Sequence, residues 1–141
     1  MPVKVNRWKA SGRERVDVYF ETEDSGMLSV DVNLVGIVDK VLVATQNAEV
    51  PAGWTACSAA GAFNVLLIEP ETEGNATAGD LLEGALSDVN ATSTEFLYPA
   101  SLATLSDMTG LPVHGRYIMT VSDGATAGTE AVGVVRFYID Q

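Results

Sequence analysis

Two runs of strict alternation near the N-terminus constrain this chain most. Over residues 15–22, Val16, Val18 and Phe20 take one parity and Asp17, Tyr19 and Glu21 the other. Over residues 27–35, Leu28, Val30, Val32 and Leu34 alternate with Ser29, Asp31 and Asn33. A period of two puts successive side chains on opposite faces of an extended chain, so both runs predict half-buried strands. Glu23-Asp24-Ser25-Gly26 lies between them with turn chemistry, and the two runs are expected to close as a hairpin.

The same reasoning covers the rest of the chain. Residues 38–45 predict a third strand, and Trp54 to Cys57 a short one. Residues 63–69 (Phe-Asn-Val-Leu-Leu-Ile-Glu) carry an apolar run between Gly and Pro, as in a strand buried on both faces or central in a sheet. Residues 70–79 are polar and acidic and read as an exposed loop. Leu81, Leu82, Ala85, Leu86 and Val89 have helical spacing, with Gly84 against it. Residues 92–98 favour a strand, and Leu102, Leu105 and Met108 suit one or two helical turns before Gly110 and Pro112. Residues 116–121 and 131–139 are expected to form a closing hairpin around a Gly-rich tip. About seven to nine short strands and at most two short helices predict a mainly β single domain, an antiparallel β-sandwich or jelly-roll-like fold.

Composition supports one folded body. Of 141 residues, 47% are hydrophobic and 19% charged, enough apolar material for a core. No apolar run reaches the roughly 18 residues of a membrane span, and no apolar signal-peptide stretch follows the basic start, so synthesis in the cytoplasm without Sec export is the expectation.

Charge is divided unevenly. The net charge is −11, yet residues 1–15 hold Lys4, Arg7, Lys9, Arg13 and Arg15 against Glu14 alone. That segment is about +4, leaving about −15 elsewhere, where Lys40, Arg116 and Arg136 are the basic residues. So negative a body repels nucleic acid and anionic membrane, and neither is expected as a partner. Residues 1–14 read as a basic arm or an edge strand, ahead of a β-rich domain at 15–141. Lys4, Arg7, Trp8, Lys9, Arg13 and Arg15 are the candidate partner-binding residues: cations that suit an acidic neighbour, with Trp8 as an anchor.

Catalytic chemistry finds little to use. His114 is the single histidine, expected at a turn just before a strand, with no nucleophile or orienting acid signalled near it. Cys57 has no partner for a disulfide, and a lone histidine and a lone cysteine do not make a zinc site. The acidic groups Glu21, Glu23, Asp24 and Glu69, Glu71, Glu73 lack calcium-loop spacing. The loop Asp123-Gly-Ala-Thr-Ala-Gly128 lacks the lysine and following helix of a phosphate loop. The sequence predicts no enzyme, no metal and no cofactor.

The basic opening Met1-Pro-Val-Lys-Val-Asn-Arg-Trp8, the alternating stretch from Val16 to Leu34, and the closing Gly115-Arg-Tyr-Ile-Met-Thr-Val121 with Val132-Gly-Val-Val-Arg-Phe-Tyr-Ile139 carry a resemblance. In composition and layout the chain resembles bacteriophage capsid decoration (cement) proteins and related virion accessory proteins. The resemblance implies a virion structural protein on the capsid surface. It would be made in the host cytoplasm and bound in many copies to the major capsid protein lattice, often as a homo-oligomeric trimer or dimer that stabilises the shell. No single residue's role comes with it. The alternative is a carbohydrate- or cell-surface-binding β-sandwich module of a phage tail or fibre, for which Trp54, Tyr98 and Tyr117 are the candidate exposed aromatics.

Overall fold

The computed structural model describes residues 3–22, 28–44, 51–53, 63–72, 79–87, 89, 94–122 and 132–141. Among these, seven strands occur: β1 (Val3–Ala10), β2 (Arg13–Glu21), β3 (Leu28–Ala44), β4 (Asn64–Ile68), β5 (Thr94–Leu97), β6 (Leu111–Ser122) and β7 (Val132–Asp140). All pairings are antiparallel, in the order β1-β2-β7-β3-β6-β4, with β5 also beside β3. The mainly β, antiparallel single domain read from the alternation is what the chain forms. Among the described residues, helical structure amounts to Gly79 and three-residue 3-10 turns at Pro70–Thr72, Pro99–Ser101 and Ala103–Leu105.

This one sheet folds over itself. Phe20 of β2 meets Phe63, next to β4, edge to face at 5.9 Å between centroids, although their strands lie near opposite ends of the sheet order. β3 makes the fold-over possible. Its first half pairs with β6, and its second half pairs with β7 on one side and β5 on the other. The register slips between Val38 and Lys40, and Gly36 has φ +128°. A bulge and a glycine are the usual devices for bending a strand out of one layer into another. The enclosed core takes Val16, Val18 and Phe20 from β2, Val32, Leu34, Val41 and Val43 from β3, Leu67 from β4, Met119 from β6, and Val135, Phe137 and Ile139 from β7.

Among the described residues neither expected hairpin forms. β2 pairs with β1 and β7, and β3 pairs with β5, β6 and β7. β7 stands between β2 and β3, and β3 stands between β6 and β7. Alternation shows that a segment is a strand with one apolar face. It does not show which neighbour supplies the hydrogen bonds, and here strands distant in sequence cover more apolar surface than adjacent ones would. A hairpin does join β1 and β2. Ala10 pairs with Arg13 across a two-residue turn, with Ser11 at φ 52° and Gly12 at φ 77°. Two successive positive φ values make the turn whose twist matches paired strands. Residues 3–10 are therefore an edge strand rather than a free arm.

Other segments also differ from the reading above. Residues 38–44 continue β3 instead of making a separate strand. β4 ends the sheet order rather than lying centrally, and residues 80–87 and 89 cover its second edge. The Val65 N–H donates to the Leu86 carbonyl at 2.9 Å, the Leu81 N–H to Leu67 at 2.8 Å, and the Val89 N–H to Phe63 at 2.7 Å. That covering segment is a chain of turns and not a helix, because Glu83 (φ 53°) and Gly84 (φ 72°) are both left-handed. Leu82, Leu86 and Val89 are buried all the same. The Asp80 carboxylate holds the turns by accepting from the backbone N–H groups of Leu67, Leu82 and Gly84 at 3.1, 3.0 and 2.9 Å. β6 begins at Leu111, so His114 lies within a strand and not ahead of one. The segment from Trp54 to Cys57 and the Gly-rich stretch from 123 lie outside the described residues.

Candidate partner-binding surface

The face of β2 carrying Asp17 and Tyr19 reads as a solvent face in the sequence, but neither residue is solvated. Asp17 is 0% exposed and Tyr19 7%. The cause is cross-strand: Asp17 sits opposite Arg136 of β7 and Asn6 of β1, and Tyr19 opposite Val134 of β7. Arg136 grips the Asp17 carboxylate with two hydrogen bonds, from Nε at 2.8 Å and Nη2 at 3.1 Å. The Arg15 Nε lies 3.3 Å from Asp17 Oδ1, and the Tyr19 hydroxyl donates to Oδ2 at 3.4 Å. A buried carboxylate is tolerable because it is paired and hydrogen-bonded in this way. Tyr19, Ala44 and Val134, with Leu42 beside them, form a second small apolar cluster on this outer face.

Burial raises the Tyr19 phenol above its ordinary pKa of 10.0, and the Asp17 charge pushes it the same way. Above pH about 10 an unfolded chain releases this proton while the folded one keeps it, so stability falls as pH rises further. Tyr19→Phe is expected to flatten that alkaline loss, read from urea midpoints at a series of pH values from about 8 to 11. An unchanged slope would mean that other groups govern it.

Next to this pair runs a row of alternating aromatic and cationic side chains. Trp8 of β1 pairs in register with Arg15 of β2, Arg15 with Tyr138 of β7, and Tyr138 with Lys40 of β3. Phe96 of β5, opposite Leu42, completes the row diagonally. The Arg15 guanidinium lies over the Trp8 ring at 4.3 Å. Lys40 Nζ lies between two rings, 4.8 Å from Phe96 and 4.6 Å from Tyr138. Trp8 is 47% exposed and Phe96 51%. No protein-family model, curated protein or solved structure matches the chain. The chemistry of this surface therefore has to be read from its own geometry.

Two hollows flank Tyr138. One, of about 560 Å³, is bounded by Trp8, Lys9, Arg13 and Arg15; the other, of about 400 Å³, by Arg13, Asp39, Lys40 and Tyr98. Arg13 and Tyr138 border both, so the two hollows adjoin on either side of Tyr138 as a shallow trough across the strands.

The six basic-segment candidates separate. Trp8, Arg13 and Arg15 lie at the trough, and Lys4 is exposed on the same face, opposite Tyr19. Lys9 is exposed near the end of β1 and borders the first hollow. Arg7 belongs to the other side of β1. It approaches buried Glu14 at 3.5 Å and donates to the Asn33 carbonyl at 2.5 Å, bridging β1 to the bent half of β3. Arg13 is held by Asp39 at 2.7 Å and Asp140 at 3.2 Å. Sequence reasoning missed Lys40, Tyr138 and Phe96, which join the site only through pairing distant in sequence.

The other sequence candidates stay apart. Tyr117 is buried at 7% and its hydroxyl accepts from the His114 N–H at 2.9 Å, so it is not an exposed aromatic. Tyr98 is 55% exposed. His114 is exposed beside Glu69, Glu71 and Arg116 around a hollow of about 530 Å³. Among the described residues no three His, Cys, Asp or Glu side chains gather as a metal would require.

Proposed function

We propose that this is a virion structural protein, a non-catalytic capsid decoration protein that binds the major capsid protein lattice and stabilises the shell. The supporting observation is the row from Trp8 to Phe96: a cationic, aromatic face built across five strands of a chain whose net charge is −11. Large rings beside cations on a rigid sheet are the side chains that anchor protein interfaces. The row is also set in place before any partner arrives, which lowers the ordering cost of docking. In this reading the capsid-bound copies assemble as trimers or dimers on the lattice, and nucleic acid and membrane are not partners.

The carbohydrate-module reading gains less from the same geometry. Sugars stack on open ring faces. Arg15 covers one face of Trp8, and Lys40 covers one face each of Phe96 and Tyr138.

Cosedimentation with undecorated phage shells tests the proposal. The wild-type chain is expected to pellet with the shells at saturating stoichiometry, and Trp8→Ala combined with Tyr138→Ala to weaken attachment about a hundredfold. Full coating by that double variant would remove the face from the attachment surface. A wild-type chain left in the supernatant would remove the virion role. Truncation at residue 14 is a poorer test, because it takes away all of β1 and the first two residues of β2.

A further inference from the structure

We infer that the trough on the outer face receives an extended acidic segment of the partner protein, with Lys40 and Arg15 as the selecting charges. The inference rests on the docking role proposed above and names the chemistry of what docks.

Three observations lead to it. The first is the orientation of the rings. Lys40 stands between Phe96 and Tyr138, and Arg15 stands over Trp8, so the cations occupy ring faces that look along the row. Ring edges carry the positive end of the aromatic quadrupole. Ring edges and N–H groups together favour carboxylates and carbonyl oxygens over apolar or cationic groups.

The second is the local charge. Lys4, Lys9, Arg13, Arg15, Lys40 and Arg136 share this part of the molecule with Glu14, Asp17, Asp39 and Asp140, a cationic excess on a strongly acidic protein. Arg13, Arg15 and Arg136 are engaged by those acids. Lys40 meets rings and, among the described residues, no carboxylate within ion-pair distance. Its charge remains for a partner. A short acidic segment brings only a few charges against the body of −11, whereas a second copy seated there brings another −11.

The third is the shape. The two adjoining hollows span β1, β2, β7 and β3, roughly 14 Å at about 4.8 Å per strand. An extended chain rises about 3.4 Å per residue, so about four residues fit along the trough.

The experiment uses the full chain and labelled decapeptides of Glu and Gly, of Gln and Gly, and of Lys and Gly, followed by fluorescence anisotropy. The Glu peptide is expected to bind at least about tenfold more tightly than the Gln peptide, and the Lys peptide not at all. Lys40→Gln should weaken the Glu peptide about tenfold while the melting temperature stays put, and Lys40→Arg should restore it. Raising the salt to about 0.5 M should weaken it further. Equal binding of the Glu and Gln peptides, or full binding by Lys40→Gln, would overturn the inference. So would salt-sensitive dimerisation of the chain that Lys40→Gln abolishes, because the occupant would then be a second copy. Glu-peptide binding without shell attachment would defeat the virion role and leave the acidic ligand standing. Attachment that depends on Trp8 and Tyr138 without Glu-peptide binding would do the reverse.

Discussion

Arg136→Ala is expected to cost about 3–5 kcal/mol, the largest loss from any single charged residue described above. Asp17 is fully buried, and Arg136 supplies its two shortest hydrogen bonds. Without them the carboxylate keeps the Arg15 Nε at 3.3 Å and the Tyr19 hydroxyl at 3.4 Å, both poor substitutes. A buried anion with incomplete pairing is far costlier than no anion at all. The double variant Asp17→Leu with Arg136→Met is therefore expected to recover most of the loss. Urea titrations of the two single variants and the double give the coupling directly. A loss near 4 kcal/mol would lower the melting temperature by about 10 °C in a domain of this size. A loss under about 1 kcal/mol for Arg136→Ala would place the pair among ordinary surface salt bridges.

The second large effect belongs to the bend of β3. Gly36→Ala is expected to cost about 3 kcal/mol. The residue has φ +128°, which an L side chain rarely adopts, and a Cβ there would stand 2.3 Å from the Asp140 carbonyl oxygen and 2.7 Å from Ile139 Cγ2. Backbone strain and a backbone clash act together, and the clash falls where β3 hands over from β6 to β7. Gly53 makes a useful control. Its φ is +86°, yet a Cβ there meets nothing within 4 Å, so Gly53→Ala should cost only about 1 kcal/mol of strain. Equal losses at the two sites would show that strain alone, and not the close approach, sets the cost at Gly36.

How far the residues announced this structure depends on the distance over which each signal acts. Val16, Val18 and Phe20 are wholly buried, as their parity requires. The opposite parity misled, because burial of Asp17 and Tyr19 comes from β7 and β1, and no local pattern records who the neighbours are. Pairing partners failed for the same reason. Glu23 to Gly26 looks like a hairpin turn, yet it is Ser11-Gly12, two residues between extended runs, that joins one strand to its hairpin partner. The Leu81–Val89 spacing imitates a helix because turns stacked against β4 also bury every third or fourth side chain.

The candidate site shows the same limit. Trp8 and Arg15 were legible as a pair of types worth attention, and recognising the β1–β2 hairpin would have placed them side by side. Lys40, Tyr138 and Phe96 were not legible, because only the completed sheet sets them in one row. Arg7 has the composition of a partner-binding cation and is instead drawn to Glu14 and Asn33.

The strand order also has a kinetic side. Asp17 and Arg136 are 119 residues apart, and the whole of β2 pairs with β7 across that span. Closing so long a loop costs entropy before any ladder bond rewards it. Chains dominated by such contacts refold in milliseconds to seconds rather than microseconds. During synthesis the β1–β2 hairpin emerges early and waits, with one edge of β2 uncovered, until β7 has been made. Exposed strand edges of that kind are where chains stick to one another. The lysines and arginines of β1 and β2 keep waiting hairpins apart by mutual repulsion, whatever they later bind.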